Sequence, residues 1–317
     1  MSRPGGWVGA AWGEASAAAG SPAQLRRRGG APTASYRADG GRSEDFLVLA
    51  ASVGGVSHRL AARRCEDSFG WALPEPGHLA LVVADGVGSA GRGGEGAELV
   101  VEAACRYLGE NGAGGWALAR CRGVVSEASD ALYRAGGQAP AELATTIVVA
   151  LLRASPSRAE VTLGRVGDST AFALSPDGEW HELFGASGVG AAGGARLAGA
   201  VTADEGDTAM LVTATASLPL PSPGPALGAP AGAEADAVEL VSAELGRGEA
   251  LVLLTDGAAQ PLRDGPTTVA PGLAEVLRCG RDGELGPLGL AGAVDFSRRG
   301  AHDDRTVLAV WPLGGEG

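Results

Sequence analysis

The residues of this sequence that could do chemistry are acids placed where apolar runs stop. Glu66-Asp67 lies in RRCEDSFGW and Asp85-Gly86 closes LVVADGVGS. Asp256-Gly257 closes LVLLTDGA, Asp303-Asp304 opens DDRTVLAV, and Asp168 lies in GRVGDSTAF. A carboxylate at the lip of a buried strand is held rigidly, with its head beyond the sheet. Several such lips side by side concentrate negative charge, and close carboxylates repel one another unless a cation neutralises them. Oxygen-only sites of this kind select hard ions, Mg2+ or Mn2+. Glycine after each Asp lets the backbone approach closely and leaves its carbonyl available as a ligand. Taken singly, each piece reads more readily as a turn or a hairpin cap. Their joint order, with strand-like runs on both sides, favours ligation.

The elements that would position these acids can be read from periodicity. Unbroken apolar runs predict buried strands over Phe46–Val53, Leu79–Ala84 and Ala250–Thr255, with a closing strand over Arg305–Trp311. Shorter strands are expected over Thr145–Leu152, Glu160–Val166 and Ser169–Leu174, the last followed by a Pro176-Asp177-Gly178 turn. Leu99, Val100, Ala103, Ala104, Tyr107 and Leu108 share one face of a helix over Glu95–Glu110. Leu118, Cys121, Val125, Ala128 and Leu132 share one face of the next, which Gly136-Gly137 stops. Weaker helical stretches lie near Pro271–Cys279 and Leu285–Phe296, and Ala209–Thr215 reads as one more strand. Runs of strands followed by runs of helices indicate α+β layers, not alternating βαβ units. Residues 1–44 are rich in Gly, Ala, Pro, Ser and Arg without period and are expected to be a disordered tail, with order beginning near Asp45. The segments 185–199 and 218–235 are expected as loops, the second a flexible Pro/Ala/Gly-rich excursion.

The chain has 317 residues and a formal net charge of −12, with no basic stripe of the kind nucleic acid requires. Cys65, Cys105, Cys121 and Cys279 show no CxxC spacing and read as reduced, packed thiols; the four histidines are not grouped with them as zinc ligands. No apolar run is long enough for a membrane span, and Glu14 interrupts any secretory h-region, so a cytoplasmic protein is expected.

The pieces CEDSFGW, LVVADGVGS, ATTIVVALL, RVGDSTAFAL, LVLLTDGA and DDRTVLAV, in this order, resemble the metal-dependent Ser/Thr protein phosphatases of type 2C, the PPM family. They span Val53 to Val310; GVSHRLAARRCEDSFGW resembles the opening of a bacterial subgroup, and EGDTAMLV from Glu205 matches a later signature of that subgroup. The resemblance implies a four-layer α-β-β-α sandwich over residues 45–313, with two divalent ions, Mn2+ or Mg2+, at one end of the β-sandwich. By motif position, Asp85 bridges the two ions and the Gly86 carbonyl binds one of them. Asp256 and Asp303 complete one shell, and Glu66 supports the other ion through water. Asp67 orients the attacking water, and Asp168 matches a third, weaker ion. The implied reaction is hydrolysis of phosphoserine or phosphothreonine by a metal-activated water or hydroxide, with no Cys nucleophile. Implied partners are a phosphorylated Ser/Thr protein and the kinase that supplies it, with the phosphatase itself a monomer.

Two departures stand out. Many members carry a phosphate-binding Arg four residues before the acid that matches Glu66, where this chain has Ala62; Arg63, Arg64 and Arg59 are the nearby substitutes. Many also carry a His after the bridging Asp-Gly, where Val87-Gly88-Ser89 stands here; His58 and His302 could assist the leaving group or be structural. These gaps keep two other readings open, a catalytically weak or inactive phosphoprotein-binding module and a phosphatase of small phosphate esters.

Overall fold

A computed structural model describes residues 35–111, 118–184, 238–264, 269–296 and 302–313. The segments 185–199 and 218–235, the expected strand 209–215 and the signature from Glu205 lie outside them. The strands are β1 (Tyr36–Arg42), β2 (Phe46–Val53), β3 (Asp67–Ala72), β4 (His78–Asp85), β5 (Ile147–Ala154), β6 (Arg158–Val166), β7 (Thr170–Leu174), β8 (Trp180–Glu182), β9 (Glu239–Gly246), β10 (Ala250–Leu254) and β11 (Arg305–Pro312). The helices are α1 (Val56–Leu60), α2 (Gly93–Asn111), α3 (Leu118–Gly136), α4 (Asp256–Arg263), α5 (Val269–Arg281) and α6 (Pro287–Val294).

One sheet runs β1-β2-β11-β10-β7-β8 and the other β3-β4-β5-β6-β9, with antiparallel pairing throughout. Strand alternation sorts the apolar residues into three cores. Phe46, Val48 and Ala50 of β2 meet Leu79, Leu81 and Val83 of β4 between the sheets. The opposite face of β4, with Ala80, Val82 and Ala84, packs under Val100, Ala104 and Leu108 of α2 and Val124, Ala128 and Leu132 of α3. The opposite face of β2, with Leu47, Leu49 and Ala51, packs under Leu273 and Leu277 of α5 and Leu290 and Val294 of α6. The layers are therefore helix, sheet, sheet, helix, as expected. Each fully buried Leu or Val in these cores contributes about 1.5–3 kcal/mol through area removed from water. Among the described residues no helix is long and apolar enough to cross a membrane.

The expected start of order near Asp45 is corrected. β1 pairs with all of β2 but Phe46, from Tyr36 opposite Val53 to Arg42 opposite Leu47. Its sequence, YRADGGR, lacks apolar alternation because it is an edge strand whose stability comes from the ladder and from one side of packing. A Cβ at Gly40 would stand 2.8 Å from the Val48 carbonyl oxygen, so the glycine that disguises the strand is what lets it lie down on β2.

Candidate functional site

The acids gather at one end of the sandwich because alternation carries polar residues onto the inner faces just beyond the apolar layer. Phe69 and Trp71 of β3 and Leu81 and Val83 of β4 point into the central core. Asp67 and Asp85 have the same parity and are direct cross-strand partners, so both carboxylates face inwards. Thr255 follows Leu251 and Leu253 in the same way, and Thr306 precedes Leu308 and Val310.

Local bonding fixes each acid. The Asp85 carbonyl accepts the Thr146 N–H at 2.8 Å and the Thr145 hydroxyl at 2.7 Å, while the Asp85 N–H donates to Thr146 Oγ1 at 3.0 Å. β4 then ends in a single bridge between Gly86 and Thr145. A Cβ at Gly86 would lie 2.3 Å from the Gly93 carbonyl carbon, so only glycine lets the start of α2 rest on the strand end. The Gly86 N–H donates to the Glu66 carbonyl at 3.2 Å, tying the two acidic segments together. Asp256 opens α4, and Gly257 has the same role as Gly86: a Cβ there would stand 2.1 Å from the Asp304 carbonyl oxygen.

The pair Asp303-Asp304 divides its work. Asp303 is exposed, and its Oδ1 accepts the Asp304 N–H at 2.9 Å. Asp304 is 2 % exposed and turns inwards. Its carboxylate accepts the Gly55 N–H at 2.6 Å, the His58 Nδ1 at 2.9 Å and the Glu66 N–H. Glu66, 7 % exposed, accepts a charge-assisted bond from Arg63 on Oε1. Asp67, 1 % exposed, accepts the hydroxyls of Thr255 and Thr306 on Oδ2, each at 2.8 Å.

The electrostatics follow from burial and from like charge. Burial pushes the Asp85 carboxyl well above the usual carboxylate range, and the charges of Asp67, Asp256, Asp303 and Asp168 push it further. Burial also raises Asp67, with Asp304 adding to it against the two threonine hydrogen bonds. Asp256 is raised by burial and then by Asp303 and Asp168, while a hydrogen bond with Asp85 pulls it back. Cys65, hydrogen-bonded to Ser52 at 3.1 Å, is held as a thiol by burial and by Asp67 and Asp304. A thiol so held is a poor nucleophile.

The structure thus brings Asp67, Asp85, Asp168, Asp256 and Asp303 within mutual electrostatic reach. Glu66 joins them through the Gly86 N–H. Arg63 engages Glu66, whereas the charge of Arg64 acts on Glu95 at the start of α2. His58 faces Asp304 as a structural partner, and His302 is exposed and lends its carbonyl to the Ser57 hydroxyl at 2.8 Å. Ala62 follows the Ala61 cap of α1 with φ of 53°, and its side chain is exposed. The cluster is open: among the described residues no three acidic, His or Cys side chains close round one point. It nevertheless suits a cation. Glu66 Oε2, Asp67 Oδ1 and Asp256 Oδ1 are buried without a hydrogen-bond partner among the described residues, and uncompensated buried carboxylate oxygens are costly unless ionic charge offsets them. Sequence reasoning missed Thr255, Thr306, Ser52 and Asp304 as supports. The signal was present in the parity of each strand, since every one of them falls on an inward position.

The sequence profile described as Protein phosphatase 2C matches residues 54–287. Among solved structures, a bacterial serine phosphatase superposes with a TM-score of 0.54 at 15% identity, covering 85% of this chain and 98% of its own. The S. agalactiae serine/threonine phosphatase gives 0.51 at 16% identity, covering 84% of this chain and 99% of its own. The catalytic domain of the serine threonine protein phosphatase PstP, in complex with 2 manganese ions, gives 0.50 at 18% identity, covering 85% and 99%. At these identities the superpositions speak for the fold. No curated protein matches the chain. The profile match, running from the end of β2 to the start of α6, takes in well over half of the residues and every acid of the cluster except Asp303, and on that ground the chain belongs to the protein phosphatase 2C family.

Proposed function

We propose that this chain is a Ser/Thr protein phosphatase that hydrolyses phosphoserine and phosphothreonine at the open end of its sandwich. The observation that carries the reading is the set of buried carboxylate oxygens on Glu66, Asp67 and Asp256 that lack a hydrogen-bond partner among the described residues, beside acids whose like charges raise Asp85 and Asp256. In this reading Asp85, the Gly86 carbonyl, Asp256 and Asp303 hold divalent ions, with Glu66 in support and Asp168 at a further, weaker position. Two Mg2+ or Mn2+ ions, when bound, supply Lewis acidity that lowers the pKa of water and neutralises phosphoryl charge. The manganese reported for PstP supports that choice of ion.

The chain's own residues have separable tasks. Asp67 Oδ2 is saturated by two hydroxyls, so Oδ1 is the atom left to orient the attacking water and receive its proton. In-line attack by water forms a new P–O bond as the bond to the seryl or threonyl oxygen breaks; Asp67 takes a proton from the attacking water, and the leaving oxygen takes one from solvent at the open end of the sandwich. Arg63 offsets the charge of Glu66 and directly follows the position that Ala62 leaves without a cation. Cys65 takes no part.

A second reading, a phosphoprotein-binding module without turnover, is favoured by the engagement of Arg63 with Glu66 and by Ala62. Hydrolysis of p-nitrophenyl phosphate and of a phosphothreonine peptide, with Mn2+ and with EDTA, separates the two. The phosphatase reading expects Mn2+-dependent turnover that Asp85→Asn abolishes, with the peptide preferred. Peptide binding without turnover under any metal favours the module, and turnover that survives both EDTA and Asp85→Asn overturns the metal-dependent reading.

A further inference from the structure

The polar layer beneath the acids joins the two sheets. Asp67 belongs to β3 of one sheet, while Thr255 follows β10 and Thr306 lies in β11 of the other. Both threonine hydroxyls reach the same oxygen, Asp67 Oδ2, at 2.8 Å. Their proton directions are determined. Thr255 Oγ1 accepts the Thr306 N–H at 2.9 Å, so its single proton is free to go to Asp67. Thr306 Oγ1 also lies 2.8 Å from Ser52 Oγ, and the carboxylate is the stronger acceptor of its proton. Ser52, Thr255 and Thr306 are completely buried, so no solvent competes for these bonds.

The positions of these residues matter as much as their bonds. Thr255 directly precedes Asp256, and Thr306 lies in the strand that Asp303 and Asp304 open. Asp67 stands opposite Asp85 in the β3–β4 register. The three-residue bridge therefore spans the gap between one pair of acids, Asp67 and Asp85, and the other pair, Asp256 and Asp303. Like charges repel across that gap, which the Asp85–Asp256 hydrogen bond alone offsets among the acids themselves. A second tie, from the Glu66 N–H to Asp304, runs in parallel.

We propose that Thr255 and Thr306 are positioning residues that clamp Asp67 across the two sheets and thereby set the separation of the acid pairs for divalent-cation binding. This inference rests on the reading of the cluster as a cation centre. The threonines touch neither substrate nor ion; they act by holding the opposing acids at one spacing before an ion arrives.

The test is calorimetric titration of the purified full chain with Mn2+ alone, well below the melting temperature, with folding checked by thermal denaturation. Removal of a group that supports metal ligands costs about 10- to 100-fold in metal affinity, so Thr255→Val and Thr306→Val are each expected to bind Mn2+ at least about ten-fold more weakly. Thr255→Ser and Thr306→Ser keep the hydroxyl and are expected to restore affinity to within about two-fold. That rescue separates positioning from bulk stability, because the Ser variants lose the same buried methyl that a packing role would need. If a Val variant melts below the assay temperature, Ala at the same position replaces it, again paired with Ser. Val or Ala variants that bind Mn2+ as tightly as the wild type, while Asp85→Asn does not, overturn the clamp and leave the function standing. A wild type that binds no Mn2+ overturns the function itself, and the clamp with it.

Discussion

Gly86 is the position where a single methyl group tests the whole geometry. A Cβ there would lie 2.3 Å from the Gly93 carbonyl carbon, 2.5 Å from its oxygen and 2.6 Å from the Gly94 nitrogen. Ordinary contact of a Cβ with these atoms begins at 3.4 Å, so relief requires roughly 1 Å of separation between the end of β4 and the start of α2. All three atoms are backbone, and no side chain can rotate away. Overpacking of this kind costs about 1–3 kcal/mol. At roughly 2–4 °C per kcal/mol for a domain of this size, Gly86→Ala should lower the melting temperature by about 2–12 °C. The functional loss should be larger, because the displaced atoms are the Gly86 carbonyl and the Asp85 backbone, and a displacement of about 1 Å can cost 10²-fold in rate. Gly91→Ala is the matched control, since nothing lies within 4 Å of its Cβ. Thermal denaturation in EDTA, calorimetric Mn2+ titration and p-nitrophenyl phosphate turnover on both variants decide the matter. If Gly86→Ala melts, binds and turns over like Gly91→Ala, the close approach of α2 to the strand end does not position the site.

Mn2+ at about one hundred times its dissociation constant should stabilise the chain by about 2.7 kcal/mol, a rise of roughly 5–10 °C that Asp85→Asn and Asp256→Asn abolish in scanning fluorimetry. In EDTA the raised carboxyls of Asp67, Asp85 and Asp256 mean that the folded chain holds protons more tightly than the unfolded one. Their stabilising contribution is complete below the ordinary carboxylate range and is lost as pH rises through the folded values. The melting temperature should therefore fall as pH rises above the ordinary carboxylate range, and Asp85→Asn should flatten that slope; a wild-type curve that rises there contradicts the burial and repulsion assigned to the cluster. Cys65→Ala should retain turnover within about three-fold, because burial holds the thiol protonated and its hydrogen bonds are to the Ser52 hydroxyl and the Asp67 backbone; loss of all activity by steady-state assay would return Cys65 to the chemistry.

The strands and helices with strong patterns were legible because two-sided burial leaves a plain mark. FLVLAASV is β2 from end to end, with every residue buried, and the two amphipathic helices are α2 and α3. What escaped were elements whose stability is not written in their own residues. β1 draws its ladder from β2, and β9, ELVSAELG, is an edge strand with only Leu240, Ala243 and Leu245 buried. α4 begins at Asp256 itself and carries Pro261, so its stretch reads as a strand end followed by a turn. β3 was hidden because its inward positions begin with an acid, Asp67, before Phe69 and Trp71. The acids of the site were visible as a motif set, but motif spacing says nothing of depth.

Depth is decided by parity, as the doublet Asp303-Asp304 demonstrates. The two residues are identical in chemistry and adjacent in sequence, and apart from the family resemblance, which singles out Asp303, nothing in DDRTVLAV distinguishes them. Asp304 falls in step with Thr306, Leu308 and Val310, whose side chains enter the space between the sheets, so it is driven inwards, where the Gly55 and Glu66 amides and His58 satisfy it. Asp303 falls out of step and stays at the rim, exposed, where its charge acts on Asp85 and Asp256. One carboxylate thus becomes scaffold, and its neighbour stays at the rim as the ligand of the proposed reading. The same rule places Asp67 and Asp85 inwards and sets Thr255 and Thr306 beneath them. An α-β-β-α sandwich can hold this much negative charge at one end because the strand period that builds its apolar layers also delivers, one step beyond, the hydroxyls and amides that hold the acids in place.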